Sequence, residues 1–328
     1  MPAEDDDATV RLSSPTATSK AVTALAPAPT RRRLGLGLGL GLLALGAGGG
    51  ALWWRGGGGA PSAEAPTPQA PLETIRASLP QGPPLLDLEG IAAHRASMPT
   101  ALRWSANPLV WVLDFPSLEL QGQAMNRAAA LIEKAGTPRD RVLDDAALAA
   151  AIAADQRSAA DWYFGHNYRA SDLRRMFALA ERDNIRLNPL ELWLREQVEL
   201  AHRLDRSRDA AILSIPATGA HVDEGMRRSI LTHELAHGQF FTLPFFAAHV
   251  MRVWETGFTE AERTAVRRFL QAEGYDSTQE EVMANEAMAY LLYTPDRRFF
   301  DPARDLGWSD AQADRLRALL RAGAPDAP

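Results

Sequence analysis

The chain has 328 residues, 46% of them apolar, which is enough for one large domain or two small ones with a sizeable core. A net charge of −6 argues against a nucleic-acid partner. Cysteine is absent, so disulfides and thiolate metal sites are excluded, and any metal must be held by histidine and carboxylates.

Residues 1–30 are rich in Ala, Pro, Ser and Thr and carry an acidic run, Asp5–Asp7, a composition that predicts a disordered tail. Arg31, Arg32 and Arg33 precede an uncharged run of 21 residues, Leu34 to Trp54. At about 1.5 Å of rise per residue such a run spans a hydrocarbon core of about 30 Å. The arginines before it and Trp53-Trp54 at its end predict a segment 31–54 that anchors the chain in a lipid bilayer, with everything downstream on the periplasmic or extracellular side. A cleaved export signal, giving a secreted chain, is the alternative. A flexible linker is a third reading, because eight of the 21 positions are glycine. Residues 55–85, rich in Gly, Pro and Ala, read as a tether, and residues 86–328 as the folded domain.

Within that domain Leu109–Leu113 is a short β-branched run expected to form a buried strand. Helices are expected over about Gln121–Ala135, Leu143–Ala154, Ser171–Asp183 and from Asn188-Pro189 to Leu204, with proline suited to a first turn. Ala211–Ile215 reads as a second strand, and as an edge strand it would pair with an extended peptide. A helix from Asp223 to about Phe241 follows, then helices over about Phe245–Glu255, from Thr259, from Ser277 to about Tyr293, and over Ser309–Ala322. Thr259 with Glu262 and Ser277 with Glu280 have the spacing of capping boxes. The balance is a mostly helical α+β fold with few short strands.

The helix from Asp223 contains His233-Glu234-Leu-Ala-His237. Histidines four apart share one helix face and can reach one zinc ion at about 2.0–2.1 Å. Glu234 is not a ligand, but it stands beside the first one, where a carboxylate takes a proton from zinc-bound water. Catalytic zinc has three protein ligands. The third is expected from the helix Glu280–Tyr293, which carries Glu281 and Glu286, about 140° apart around its axis. Glu286 lies among Val282, Met283, Ala289 and Tyr290 on the apolar face and is the preferred ligand. Glu281 sits in the first turn, where the helix dipole already favours an acid, and is the alternative.

This helix pair resembles the gluzincins, zinc metallopeptidases whose third ligand is a glutamate from a second helix. Asn285-Glu286-Ala287 resembles the ligand sequence of the thermolysin-like branch. Two departures stand out: Tyr290 occupies the position of that branch's acid, and the gap between His237 and Glu286 is longer than in thermolysin. Glu281-Val-Met-Ala-Asn285 fits a second pattern, Glu-x-x-Ala-Asn, that makes Glu281 the ligand. The resemblance covers residues 223–293. It implies a zincin-like catalytic domain and an anchored or exported zinc endopeptidase acting on a peptide or protein substrate. The competing readings are an exported binding or scaffolding protein with a structural metal or an inactive zincin fold, and a zinc amidase acting on cell-wall peptides.

Other residues invite roles. Tyr163, His166 and Tyr168 are candidates for stabilising an oxyanion, against a packed aromatic loop. Phe240, Phe241, Phe245 and Phe246 are candidates for a substrate pocket, against a core role. His249 reads as structural and His221 as a loop residue.

Overall fold

The β-branched stretch at Val110 becomes the centre of a sheet. In the computed structural model, which describes residues 82–325, β3 (Val110–Phe115) is buried along its whole length. It pairs in parallel with the equally buried β5 (Ala211–Pro216), from Val110 opposite Ala211 to Phe115 opposite Pro216. A strand buried on both faces needs a cover on each, and near-continuous apolar sequence is how such strands read. On its other side β3 pairs antiparallel with β2 (Thr100–Trp104), which carries the two-residue β1 (Leu85–Leu86) in parallel. β4 (His166–Arg169) pairs antiparallel with β5, giving the order β1-β2-β3-β5-β4.

Two expectations change here. The run at Ala211 is an interior strand, hydrogen-bonded on both sides, and the outer strand beside it is β4. The folded chain also begins before Leu86, because Leu85 and Leu86 pair with Arg103 and Trp104. The expected tail 1–30, the apolar segment 34–54 and the tether up to residue 81 lie outside the described residues. Among the described residues no helix is long and apolar enough to cross a membrane.

The helices, in chain order, are α1 (Leu88–Ala93), α2 (Leu118–Ile132), α3 (Asp145–Ala154), α4 (Ala170–Arg182), α5 (Pro189–Leu204), α6 (Glu224–Thr242), α7 (Pro244–Arg252), α8 (Glu260–Ala272), α9 (Glu280–Tyr293), α10 (Pro302–Leu306) and α11 (Asp310–Arg321). The fold is therefore mostly helical α+β with one small mixed sheet. α1, α10, β2 and β4 go beyond the sequence expectation, and α7 ends in a π-helical turn, Val253–Gly257, rather than continuing as one helix to Glu255. Capping boxes close at Asn188/Glu191 and at Thr259/Glu262. The expected box at Ser277/Glu280 does not form. Glu280 instead accepts from Trp254 Nε1 at 2.7 Å and from Arg267 at 2.8 Å, while Asp276 takes up the Thr278 hydroxyl and amide.

α6 is the spine that positions the site. Asp223 caps it by accepting from the Met226 amide at 2.8 Å. It packs across β3, β5 and β4, and Gly238 sits where a β-carbon would lie 2.7 Å from Val110. Arg227 fixes its first turn: both terminal nitrogens donate to the buried Asp114 of β3 at 3.0 Å, and the same guanidinium bonds the Pro216 and His94 carbonyls. A bidentate pair whose two terminal nitrogens also bond carbonyls is a geometry in which a buried ion pair is tolerated, although Nε has no partner among the described residues. α9 lies alongside α6, so the residues that the two helices turn towards each other meet in the core.

Candidate metal centre

His233 and His237, one turn apart on α6, bring their Nε2 atoms to 3.0 Å from each other. From α9, Glu286 places Oε2 at 3.5 Å from His233 Nε2 and Oε1 at 3.5 Å from His237 Nε2. All three side chains are buried. An ion bonded at about 2.0–2.1 Å to tetrahedral ligands holds them roughly 3.3–3.4 Å apart. The two ring nitrogens and the two Glu286 oxygens therefore surround a point where one such ion could be held, each oxygen facing one histidine.

The protonation of these groups suits a cation. Burial pushes the His233 imidazole down to about 3 and that of His237 to about 4, so both rings are neutral near pH 7. The Thr294 hydroxyl donates to the Ala289 carbonyl at 3.0 Å, so it must accept from His233 Nδ1, 2.8 Å away. That hydrogen bond puts the ring proton on Nδ1 and leaves Nε2 a bare donor, as outer partners of metal-bound histidines do. Glu286 is raised by burial, with the His237 ring and the Tyr275 hydroxyl opposing the shift. Its Oε2 is buried without a hydrogen-bond partner. A buried carboxylate oxygen left in that state lacks a charge or a donor, and two imidazoles with one carboxylate are a donor set that zinc accepts.

Glu234, next to His233 on α6, meets β4. Its Oε2 accepts from Asn167 Nδ2 at 3.1 Å, and its carboxylate rests against Gly165, where a β-carbon would stand 2.7 Å from Cδ. Burial raises its pKa well above the ordinary carboxyl range, and the charge of Glu286 adds to the rise. Glu133, at the end of α2, is a third buried carboxyl in this neighbourhood, pushed up to about 8 by burial while the Tyr168 hydroxyl bonds it at 2.7 Å.

Of the two candidate third ligands, the structure brings Glu286 to the histidine pair and leaves Glu281 outside. Glu281 is half exposed and ion-paired with Arg169 at 2.6 Å. Tyr163, His166 and Tyr168 are buried together. Tyr168 is committed to Glu133, His166 Nδ1 pairs with the Ser214 hydroxyl at 2.9 Å, and Tyr163 packs between the His166 and Tyr275 rings. Part of this segment is strand rather than the loop expected. Among the phenylalanines, Phe240 and Phe246 are core, Phe245 is exposed, and Phe241 lies under the Arg169 guanidinium and lines a cavity. His249 bonds the Leu319 carbonyl at 2.9 Å, a structural role.

Gly165, Asn167, Tyr275 and Thr294 carry no signal in the sequence, since Gly165 and Asn167 reach the centre from the β4 segment, Tyr275 from the turn before α9 and Thr294 from the end of α9, all outside the motif helix. Two cavities border α6, one towards each of its ends. One, of about 510 Å³, is lined by Glu286, Asn285, Asn167, Glu133 and Phe241 and gives access to the metal ligand. The other, of about 730 Å³, lies at the N-terminal end of α6 and contains His221 in its wall. No protein-family model, curated protein or solved structure matches the chain.

Proposed function

We propose that the chain is a zinc-dependent hydrolase, a metalloendopeptidase of gluzincin type that its N-terminal segment anchors in or exports across a membrane. One observation carries the reading: two neutral histidines from one helix and a glutamate from a second converge at 3.0–3.5 Å, and Glu234 follows the first histidine on the same helix. The convergence of two helices on one point supports the zincin-like reading. The N-terminal part of the reading rests on the arginine cluster and apolar run of residues 31–54 alone.

When bound, zinc would polarise a carbonyl and lower the pKa of water towards about 7. His233, His237 and Glu286 would hold the ion, and Thr294 and Tyr275 would fix the orientation of two of those ligands. Glu234 accepts the proton of the attacking water on its carboxylate and returns it to the leaving amine. Burial raises its proton affinity, which favours holding the proton between the two transfers. Asn167 holds one oxygen of that carboxylate, and the other lies against Gly165. β4, which carries Asn167, is one of the two outer strands, and a peptide lying along it would meet the base.

The test is zinc content and peptide hydrolysis of the full-length chain and its Glu234→Gln variant. Zinc near one per chain with hydrolysis lowered about 10²–10⁴-fold is expected, the range a general base contributes. Hydrolysis unchanged in the variant overturns the assignment. A structural metal is the second reading, because His233, Glu234, His237 and Glu286 are each at most 3% exposed. Retained zinc, strong destabilisation by chelator and no hydrolysis of any peptide or amide would favour it. Cleavage of cell-wall peptides but not of proteins would favour the amidase reading of the same centre.

A further inference from the structure

The larger cavity stands in a fixed relation to the metal centre. Met226 in its wall and His233 are seven residues apart on the uninterrupted helix α6. Seven residues turn through 700°, within about 20° of the same face, and rise about 10 Å. Phe164 forms another part of the wall, and the next residue, Gly165, abuts the Glu234 carboxylate, with Asn167 bonding it two residues on. The backbone leaving the cavity therefore passes directly over the base. An extended peptide advances about 3.3 Å per residue, so about three residues bridge the two places.

The chemistry of the walls selects a class of side chain. Leu118, Phe164 and Met226 supply apolar surface, and Glu119, Asp161 and Asp223 supply carboxylates. Arg298 is the one arginine in the lining, and it is held by Asp223 at 2.5 Å and by Asp296 at 2.6 Å. Asp161 accepts from the Ser158 amide and hydroxyl, both at 2.6 Å, which leaves its charge uncompensated. Glu119 has no ion-pair partner among the described residues. Apolar walls with unneutralised acids fit a long aliphatic stem ending in a cation. The volume, about 730 Å³, is that of a ligand pocket.

We propose that this cavity is a specificity subsite on the substrate track, and that it takes a lysine or arginine side chain about three residues from the bond that is cut. The inference rests on the hydrolase reading above. The full-length chain loaded with zinc is given a peptide library of mixed sequence, and the cut sites are mapped by mass spectrometry. Lysine and arginine are expected to be enriched at one position, two to four residues from the cut. Glu119→Lys, at an exposed position that leaves the core untouched, is expected to lower kcat/KM about tenfold at low salt for those peptides and to leave peptides with alanine there unchanged. Zinc-dependent cleavage with no such preference, or with the same preference in Glu119→Lys, overturns the subsite and leaves the hydrolase reading standing. A zinc-loaded chain that cleaves nothing in the library overturns both.

Discussion

Gly165 offers the sharpest perturbation of the centre, because it touches the base and none of the three metal donors. A β-carbon there would stand 2.7 Å from Glu234 Cδ and 3.0 Å from Cγ. Ordinary contact begins at 3.4 Å and Oε1 lies nearer still than Cδ, so in Gly165→Ala the carboxylate must retreat by at least about 0.7 Å, and the 3.1 Å bond from Asn167 is stretched or lost. The backbone at Gly165 is not in the left-handed region, so alanine adds no conformational strain of its own. Misplacing a catalytic group by about 1 Å costs about 100-fold in rate, so a loss of about 10- to 100-fold in kcat is expected. Overpacking is expected to lower stability by about 1–3 kcal/mol. Zinc content is expected to stay at the level of the unaltered chain. Metal analysis, hydrolysis rates and thermal unfolding on one preparation decide the matter. A rate equal to that of the unaltered chain would refute the placement of Glu234 against Gly165. A rate loss that accompanies loss of zinc would refute the claim that Gly165 acts on the base alone.

Two further outcomes follow from the same neighbourhood. Glu286→Ala is expected to weaken zinc binding by at least about 100-fold, more than an outer partner would, whereas Glu281→Ala is expected to leave it unchanged and to alter stability by less than about 1 kcal/mol, since its pair with Arg169 is half exposed. Competition with a zinc-binding dye measures both, and loss of metal in the Glu281 variant would reverse the ligand assignment. Glu133 sets a pH dependence in zinc-free protein. Its folded-state pKa, raised by burial to about 8, lies above the ordinary 4.5, so the folded chain binds the extra proton and loses stability as pH rises towards about 8. Between pH 6 and pH 8 that loss is about 2 kcal/mol, and Glu133→Gln is expected to remove it from urea-unfolding curves. A slope unaffected by the substitution would show that Glu133 is ionised in the folded state.

What the sequence displays about this site is what lies within a helical turn. His233 and His237 are legible from spacing alone, and Glu286 from the apolar neighbours at three and four residues that turn it inward. Local reading fails where the partner is remote. β4 reads His-Asn-Tyr-Arg, with no apolar alternation, because Asn167 and His166 are held by Glu234 and Ser214 rather than by apolar surface. Its strand character comes from pairing with β5, more than forty residues away. Ala211–Ile215 is correctly read as a strand, yet its interior place depends on β4 and could not be seen without it. The capping box at Ser277 fails for the same reason: Trp254 and Arg267 claim Glu280 from outside its own helix.

The separation of the metal donors along the chain has a further meaning under the zinc reading. His237 and Glu286 are 49 positions apart, with α7, the π turn and α8 between them. An ion shared by the two closes that stretch into a ring, as a disulfide would in a chain that has no cysteine. Closing a ring of this size removes about 4 kcal/mol worth of freedom from the unfolded chain at 25 °C, in the chain-entropy account of cross-links. The cross-link joins the helix bearing the base to the helix flanking the access cavity, so one ion would set both the register of α9 on α6 and the width of the opening between them.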